Sequence, residues 1–524
     1  MAKIDEKRRH KILNGNMWSA IIAMCAPLFI YQLFNAFYSL IDTIFASEIS
    51  TDSVSSVAAL GQVKNLLNSF GAGIAAGGGI IVARKFGAGD FNEARKNANA
   101  SFSLVLVVGI IIALLCIPLA YPICSMSGIS DAQAAKSTGY FIVQMIEVIV
   151  VAMNSIFIAL QKAKGNTKSI FYLNFVTMGV KLFLNWLFIF VIGVDQIIWI
   201  ALATLFSQIT LFLILGGIMV HKNNIFRISP NMLTLKWKYV KPILVISIPI
   251  FIGKFVFSFG KVAVNSIFGQ GYEEILLSQV DLNNLEAVEQ AKASAGLVVG
   301  ALAVSNNLNG IATSPINTFE ETESTIISQN IGNRNLKRAM QAFWKTFILC
   351  LISGIIGWIL IRFTFQAQLI SLFKNNDIDA AQSQEFMGYV KKIHAWDSLS
   401  IPSLAINAAC LGVLYGFGKT KTAAFINVAR AFVFRIPVLI ILLEFFPELG
   451  VEVAGYSMGI SNICIMLMSI ICLIIFYFQI KKKGYDGMYL DGKDEKLELS
   501  AIAIKEELIN VEESIENNDI DDGV

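Results

Sequence analysis

Charged residues are scarce in this chain, and their scarcity excludes an ordinary soluble protein. Asp, Glu, Lys and Arg together make up 15% of the 524 residues, whereas soluble domains carry roughly 25%. Hydrophobic residues make up 55% of the chain, and the mean hydropathy is +0.64. The composition therefore predicts an integral membrane protein.

The residue types that usually hold metals or carry catalysis are also few and scattered. The three histidines, His10, His221 and His394, stand far apart, and none of the seven cysteines forms a Cys-x-x-Cys pair. These spacings argue against a metal site, a disulfide and a membrane-embedded enzyme. The glycine run at 71–79 lacks the Gly-Lys-Ser/Thr ending of a phosphate-binding loop, which argues against a nucleotide-driven pump. We therefore expect no metal, no organic cofactor and no nucleic-acid partner.

The sequence contains many long apolar runs. A helix needs about 20 apolar residues to cross the hydrocarbon core. Runs of that length occur near 17–46, 54–83, 98–122, 139–160, 170–192, 196–219, 239–270, 295–328, 341–362, 393–415, 422–446 and 453–480. They predict an all-α integral membrane protein with twelve transmembrane helices.

The two halves of the chain resemble each other, which indicates a duplication. Two polar loops occur at matching places in both halves, and they pair Gly87 with Gly332, Asp90 with Asn335 and Gly165 with Gly418. The separation between the early prolines, Pro27 and Pro249, is about 23 residues shorter than the separation between Gly87 and Gly332, an estimate from repeat counting. The sequence therefore predicts two six-helix lobes, with an insertion near 271–293 in the second.

Basic residues fill the N-terminus and alternate loops, so the positive-inside rule places both termini in the cytoplasm. The predicted order is a cytoplasmic N-terminus at 1–16, an N-lobe at 17–219, a cytoplasmic linker at 220–238 and a C-lobe at 239–480. The insertion near 271–293 is then extracellular, and an acidic cytoplasmic tail occupies 481–524. We expect this tail to form either a short amphipathic helix or a disordered acidic segment.

Three motifs in this order suggest a family. They are Asn35-Ala36-Phe37-Tyr38-Ser39-Leu40-Ile41-Asp42-Thr43, Gly87-Ala88-Gly89-Asp90 with its repeat, and Arg435-Ile436-Pro437. With them, residues 14–480 resemble the multidrug and toxic compound extrusion (MATE) family. The resemblance implies two pseudo-symmetric lobes around a central cavity. It also implies export of organic, often cationic, compounds, coupled to H⁺ or Na⁺. We expect a monomer in the cell membrane that works by alternating access. A flippase for a lipid-linked precursor, in the same superfamily, is the alternative, and buried lysines such as Lys254 and Lys261 favour it.

The candidate coupling site of the N-lobe consists of Asp42, Lys181 and Asn185. An acid within a spanning run costs about 2.5–3.5 kcal/mol and usually faces a partner or water; the other interpretation is that Asp42 is solvated near the outer end. The resemblance suggests that Lys181 and Asn185 occupy positions where relatives carry an asparagine and an aspartate or asparagine. We predict that Lys181 pairs with Asp42, which favours H⁺ over Na⁺ in this lobe.

Further candidates for binding substrate or a second cation lie in other helices. The resemblance implies a glutamate in the seventh helix, but Phe257 and Ser258 stand there instead. Acids in the eighth helix offer a replacement, unless they face a solvated vestibule. The whole set of candidates is Lys64, Glu147, Glu320, Glu321, Glu323 and Arg430.

Overall fold

The computed structural model of the chain describes residues 2–47, 51–125, 131–194, 196–281, 283–371 and 380–483. Some side chains within helices, including those at 35–44, lie outside the description, and so does the acidic tail from residue 484 onward. The chain divides into a large unit that runs to Ile470 and a small one that begins at Ile471. The described part of the small unit is the end of the last helix.

The regular elements of the first half are all helices within its described residues. Its elements are α1 (Ala2–Asn14), α2 (Met17–Ser47), α3 (Thr51–Gly87), α4 (Phe91–Cys116), α5 (Ala120–Ser125), α6 (Asp131–Ala163), α7 (Thr167–Trp186) and α8 (Ile198–Val220). A π-helix at Leu187–Ile192 continues α7.

The second half follows the same plan. Its elements are α9 (Trp237–Leu277), α10 (Leu285–Gly332), α11 (Leu336–Ile359), α12 (Gln366–Ser371), α13 (Ala380–Asp397), α14 (Ile401–Gly416), α15 (Thr420–Ala429), α16 (Ile436–Phe445) and α17 (Glu452–Lys483). Two π-helices, Leu360–Thr364 and Arg430–Arg435, follow α11 and α15 respectively.

Twelve helical stretches within the described residues are long and apolar enough to cross a membrane, which confirms the predicted number. Several large apolar side chains on them face outward, as lipid-contacting surfaces require. On α7, for example, Phe175, Phe183 and Trp186 are at least half exposed.

The predicted insertion near 271–293 falls where α9 ends and α10 begins. Within this range, α9 continues to Leu277 and α10 begins at Leu285. The 48 residues of α10 give a length of about 72 Å at 1.5 Å per residue, well beyond the ~30 Å of a hydrocarbon core. The side of the membrane on which this extension lies stays a prediction.

Local structure repeats between the halves as the sequence predicts. The Asp90 side chain caps α4 by accepting a hydrogen bond at 3.0 Å from the backbone N–H three residues on, and Asn335 caps α11 in the same way at 2.9 Å. The residues before these caps, Gly89 and Arg334, both have left-handed backbone, with φ of 84° and 54°. Equivalent residues therefore terminate equivalent helices, and the duplication is confirmed.

The repeated glycines lie at one of the contacts between the lobes. Gly87, at the end of α3, packs against the backbone of Gln329 in α10, and Gly332, at the end of α10, packs against the backbone of Arg84 in α3. Arg84 and Gln329 each stand three residues before their glycine, so the contact is reciprocal, as expected around a twofold axis. A Cβ on either glycine would overlap backbone atoms of the other lobe.

Hydrogen bonds from Arg84 and Gln329 also join the two lobes. The Arg84 guanidinium donates to the carbonyl of Gly416, at the end of α14, at 3.2 Å. The Gln329 amide donates to the carbonyl of Ala163, at the end of α6, at 2.8 Å. Each lobe thus binds a helix C-terminus of the other.

Candidate transport site

A cavity of about 270 Å³, lined by both polar and apolar residues, lies between the two lobes. Small residues of α3 line one wall and leave the space open; they are Ala72, Ala75, Ala76 and Gly79. Glu320 and Glu321 of α10 line the opposite wall, and in the repeat they correspond to Ala75 and Ala76. Equivalent positions of the two lobes therefore face one cavity, small in one lobe and acidic in the other.

The cavity contains charges of both signs. Lys162 of α6 forms an ion pair with Glu321, and this pair joins the N-lobe to the C-lobe. Lys254 of α9 also lines the cavity and interacts electrostatically with Glu320. Among the described residues Glu320 has no basic partner within 4.0 Å. It is therefore the acid of this cavity that is available to a solute or an ion.

Glu323 has a different environment from the other two acids. It is 0% exposed, and neither carboxylate oxygen has a hydrogen-bond partner among the described residues. It packs against α14, where a Cβ on Gly412 would lie 2.7 Å from Glu323 Oε2. The buried thiols of Cys25 and Cys350 lie within electrostatic reach. The structure therefore places this acid outside a solvated vestibule.

Lys64 and Glu147 form one ion pair within the N-lobe. The Lys64 Nζ lies 3.3 Å from Glu147 Oε1, joining α3 to α6, and the Glu147 side chain is only 4% exposed. The sequence named both as candidates without indicating that they meet. Because each neutralises the other, they join the two helices and leave little free charge for a solute.

The polar face of α7 carries the other N-lobe candidates. Lys181 and Asn185 are buried, and both polar atoms of the Asn185 amide lack a hydrogen bond among the described residues. A buried amide normally has partners, so this position can receive a polar group. The Asp42 side chain lies outside the described residues, and its pairing with Lys181 stays a prediction.

Arg430 belongs to a buried polar network in the C-lobe. Its Nε donates to Asn462 Oδ1 at 3.0 Å, and a terminal nitrogen of Arg435 donates to the same oxygen at 2.9 Å. Asp397 is 3% exposed and interacts electrostatically with both arginines. Sequence reasoning missed Asn462, although an asparagine within an apolar helix is itself a signal of such a network.

A buried lysine outside the spans fixes the N-terminal helix. Lys164, between α6 and α7, donates to Asn224 Oδ1 at 3.0 Å and lies 3.8 Å from Asp5 of α1. Burial lowers the pKa of Lys164 from its ordinary 10.5 to about 8, because desolvation outweighs the attraction of Asp5. This lysine is thus a structural group with a titration that can be measured.

Two repeated helical halves that meet around a cavity are an architecture shared by many secondary transporters. The MatE family model matches residues 27–187 and 296–441. The chain therefore belongs to the MatE family of multidrug transporters and is a multi-pass membrane protein.

Individual relatives agree with this assignment. The chain is 23% identical over 442 residues to the probable multidrug resistance protein NorM of Thermotoga maritima, covering 84% of this chain and 88% of the relative. Among solved structures, a MATE protein in complex with MaL6 is similar with a TM-score of 0.80 and 17% identity, covering 90% of this chain and 99% of that one. A MOP superfamily transporter from Pyrococcus furiosus, described as having a binding pocket of reverse polarity, has a TM-score of 0.78 and 17% identity, covering 90% and 98%. At this identity the solved structures establish the fold.

Proposed function

We propose that this protein is an antiporter that exports organic compounds across the cell membrane by alternating access, coupled to H⁺ entry. The relative from Thermotoga maritima is named as a multidrug resistance protein, which supports drug-like organic solutes as substrates. The cavity between the lobes, with the free carboxylate of Glu320 in its wall, is the binding place for such a solute.

The contact at Gly87 and Gly332 supports alternating access. It joins the lobes at the end that carries the basic loops, which is predicted to be cytoplasmic. Breaking the reciprocal contact would let the same two lobes open there. Rigid movement of one repeat against the other is the usual means of alternating access.

The buried environment of Glu323 is the main reason for proposing H⁺ as the coupling ion. An ionised carboxylate without a donor or a counter-charge is very costly in a dry protein interior, whereas a protonated carboxyl costs far less. Glu323 has no such partner among the described residues and lies one helical turn from Glu320 in the cavity wall. We infer that Glu323 holds the coupling proton and releases it when the lobes separate and water reaches it.

Efflux of ethidium from right-side-out vesicles loaded with the dye tests this proposal. An imposed proton gradient should drive efflux in the wild type, and a Na⁺ gradient alone should not. Glu323→Gln preserves size and neutrality and should abolish proton-driven efflux, whereas Glu289→Gln, at an exposed acid of the same helix, should leave it intact. Efflux driven by Na⁺ alone, or full proton-driven efflux in Glu323→Gln, would reject H⁺ coupling through this residue.

The lipid-linked precursor flippase has one observation in its favour. A second cavity, of about 540 Å³, is lined almost entirely by apolar residues of α2, α10 and α11, among them Phe29, Leu33 and Ile356. Such a groove suits an acyl or isoprenoid chain. Flipping of a fluorescent lipid-linked precursor in proteoliposomes, without ethidium efflux, would favour this second function.

A further inference from the structure

Three basic side chains surround one aromatic ring in the C-lobe. The guanidinium carbon of Arg430 lies 4.4 Å from the centre of the Phe257 ring, the Lys261 Nζ lies 5.0 Å from it, and the Arg435 guanidinium carbon lies 6.0 Å away. Lys261, Arg430 and Arg435 are called the C-lobe cation cluster below. Cations over a ring face are attracted by its electron density, so Phe257 helps to hold mutually repelling charges together.

The π-helix at Arg430–Arg435 explains why two arginines five residues apart reach the same place. In an α-helix, residues five apart point in clearly different directions, at 3.6 residues per turn. A π-helix closes hydrogen bonds between residues i and i+5, which brings such residues to one side. Here this local widening directs both Arg430 and Arg435 toward Phe257.

Neutral groups fix the orientation of the arginines. Asn462 Oδ1 accepts a hydrogen bond from each arginine, and Arg435 Nε also donates to Ser461 Oγ at 3.1 Å. The Asn462 amide in turn donates to Ser400 Oγ at 2.8 Å. The guanidinium groups are therefore held in position without being neutralised.

The charges around the cluster do not balance. Within the described residues, no carboxylate oxygen lies within 4.0 Å of a nitrogen of the three cations. Asp397 interacts with all three at longer range, and Glu320 interacts with Arg430. Since Glu320 is also shared with Lys254, positive charge is in excess around the buried Arg435, and an anion would compensate it.

One face of α9 runs from the transport cavity to the cluster. Lys254, Phe257 and Lys261 are spaced three and four residues apart, so they share one face of α9. Lys254 lines the cavity between the lobes, and Lys261 lies two turns, about 10 Å, further along that face. Lys261 is exposed, and Arg430 is half-buried. A solute that extends about 10 Å from Lys254 along this face would reach the cluster.

We propose that the C-lobe cation cluster binds an oxyanion, a carboxylate or a phosphate, carried by the transported compound. Arginine presents a planar fork of donors that matches such groups, and Lys261 adds a mobile ammonium. The substrate is then an organic anion, or a compound with an anionic and a cationic end, whose cationic end meets Glu320. This substrate class rests on the proposed transport function, but binding can be measured without transport.

Thermal stabilisation of the purified full chain in nanodiscs tests the site. In nanodiscs of phosphatidylcholine at constant ionic strength, citrate or inorganic phosphate should raise the melting temperature relative to chloride, because a ligand that binds the folded state stabilises it. Lys261→Gln and Arg430→Gln should each weaken this binding about tenfold or more, the worth of a charged hydrogen bond. Lys241→Gln, at an exposed lysine of the same helix, is the matched control and should bind as the wild type does.

The outcomes distinguish a solute from a lipid headgroup as the source of the oxyanion. They also distinguish failure of this binding site from failure of the proposed transport function. Stabilisation that appears only with phosphatidic acid in the nanodisc, and is lost in Lys261→Gln, would assign the site to a lipid headgroup. Equal responses of Lys261→Gln and Lys241→Gln to citrate, phosphate and phosphatidic acid would overturn the oxyanion site, even if ethidium efflux is intact. If Arg430→Gln does not fold, the comparison of the two lysine variants still decides the question.

Discussion

Gly332→Ala should open the contact between the lobes. The new Cβ would overlap the carbonyl oxygen of Arg84, and it would lie 2.9 Å from the Arg84 carbonyl carbon and 3.0 Å from the Ala88 nitrogen. These are backbone atoms that cannot rotate away, so the lobes themselves must separate. Overpacking of this kind costs about 1–3 kcal/mol. Because only the closed state bears this cost, the equilibrium should shift toward the open state about 5- to 150-fold.

Hydrogen–deuterium exchange of the protein in nanodiscs measures this shift. Exchange at 84–88 and at 329–333 should accelerate by about the same factor, because protection reports the free energy of local opening. The segment at 84–88 is the sharper readout, since it carries no substitution and lies across the contact. Gly87→Ala, which meets the Gln329 backbone, should do the same, and the double variant should add less than the sum.

Gly310→Ala is the matched control for this experiment. Gly310 lies in the same helix, and a Cβ there would meet nothing within 4 Å. The control therefore gains the same helix propensity, about 0.5–1 kcal/mol, without touching the other lobe. If Gly332→Ala leaves exchange at 84–88 no faster than Gly310→Ala does, the glycine contact does not hold the lobes together and the reasoning fails.

Four other measurements check separate parts of the structure. Between about pH 8 and 10.5 the unfolded chain binds more protons at Lys164 than the folded one does. The free energy of unfolding of the wild type should therefore rise with pH, relative to that of Lys164→Met, by up to a few kcal/mol. A difference that stays constant with pH would contradict the lowered pKa. Asp42→Asn should abolish efflux and Lys181→Asn should introduce Na⁺ dependence, whereas normal efflux in Asp42→Asn would remove this acid from coupling. A reporter fused after Lys168 should show a cytoplasmic location, and an external signal would reject the predicted orientation. Truncation after Lys483 should leave a folded, inserted protein by size-exclusion chromatography, and loss of insertion would show that the tail belongs to the fold.

The sequence alone determined the class, the number of spans and the duplication. Each of these depends on local information. Apolar length decides whether a segment crosses a bilayer, and a capping residue such as Asp90 or Asn335 acts on the backbone three residues away. The repeat could therefore be recognised from loops alone, and the caps and left-handed residues in the structure follow it.

The tertiary structure decided which charges meet. Lys64 pairs with Glu147, and Lys162 pairs with Glu321 across the lobes, because helix packing brings together residues that are far apart in the chain. The three acids of α10 illustrate the same limit. They lie within four consecutive residues, yet Glu320 and Glu321 line the cavity and Glu323 is sealed against α14. Successive residues of a helix point in directions about 100° apart. The packing of the neighbouring helices decides which of these directions faces the cavity and which is buried.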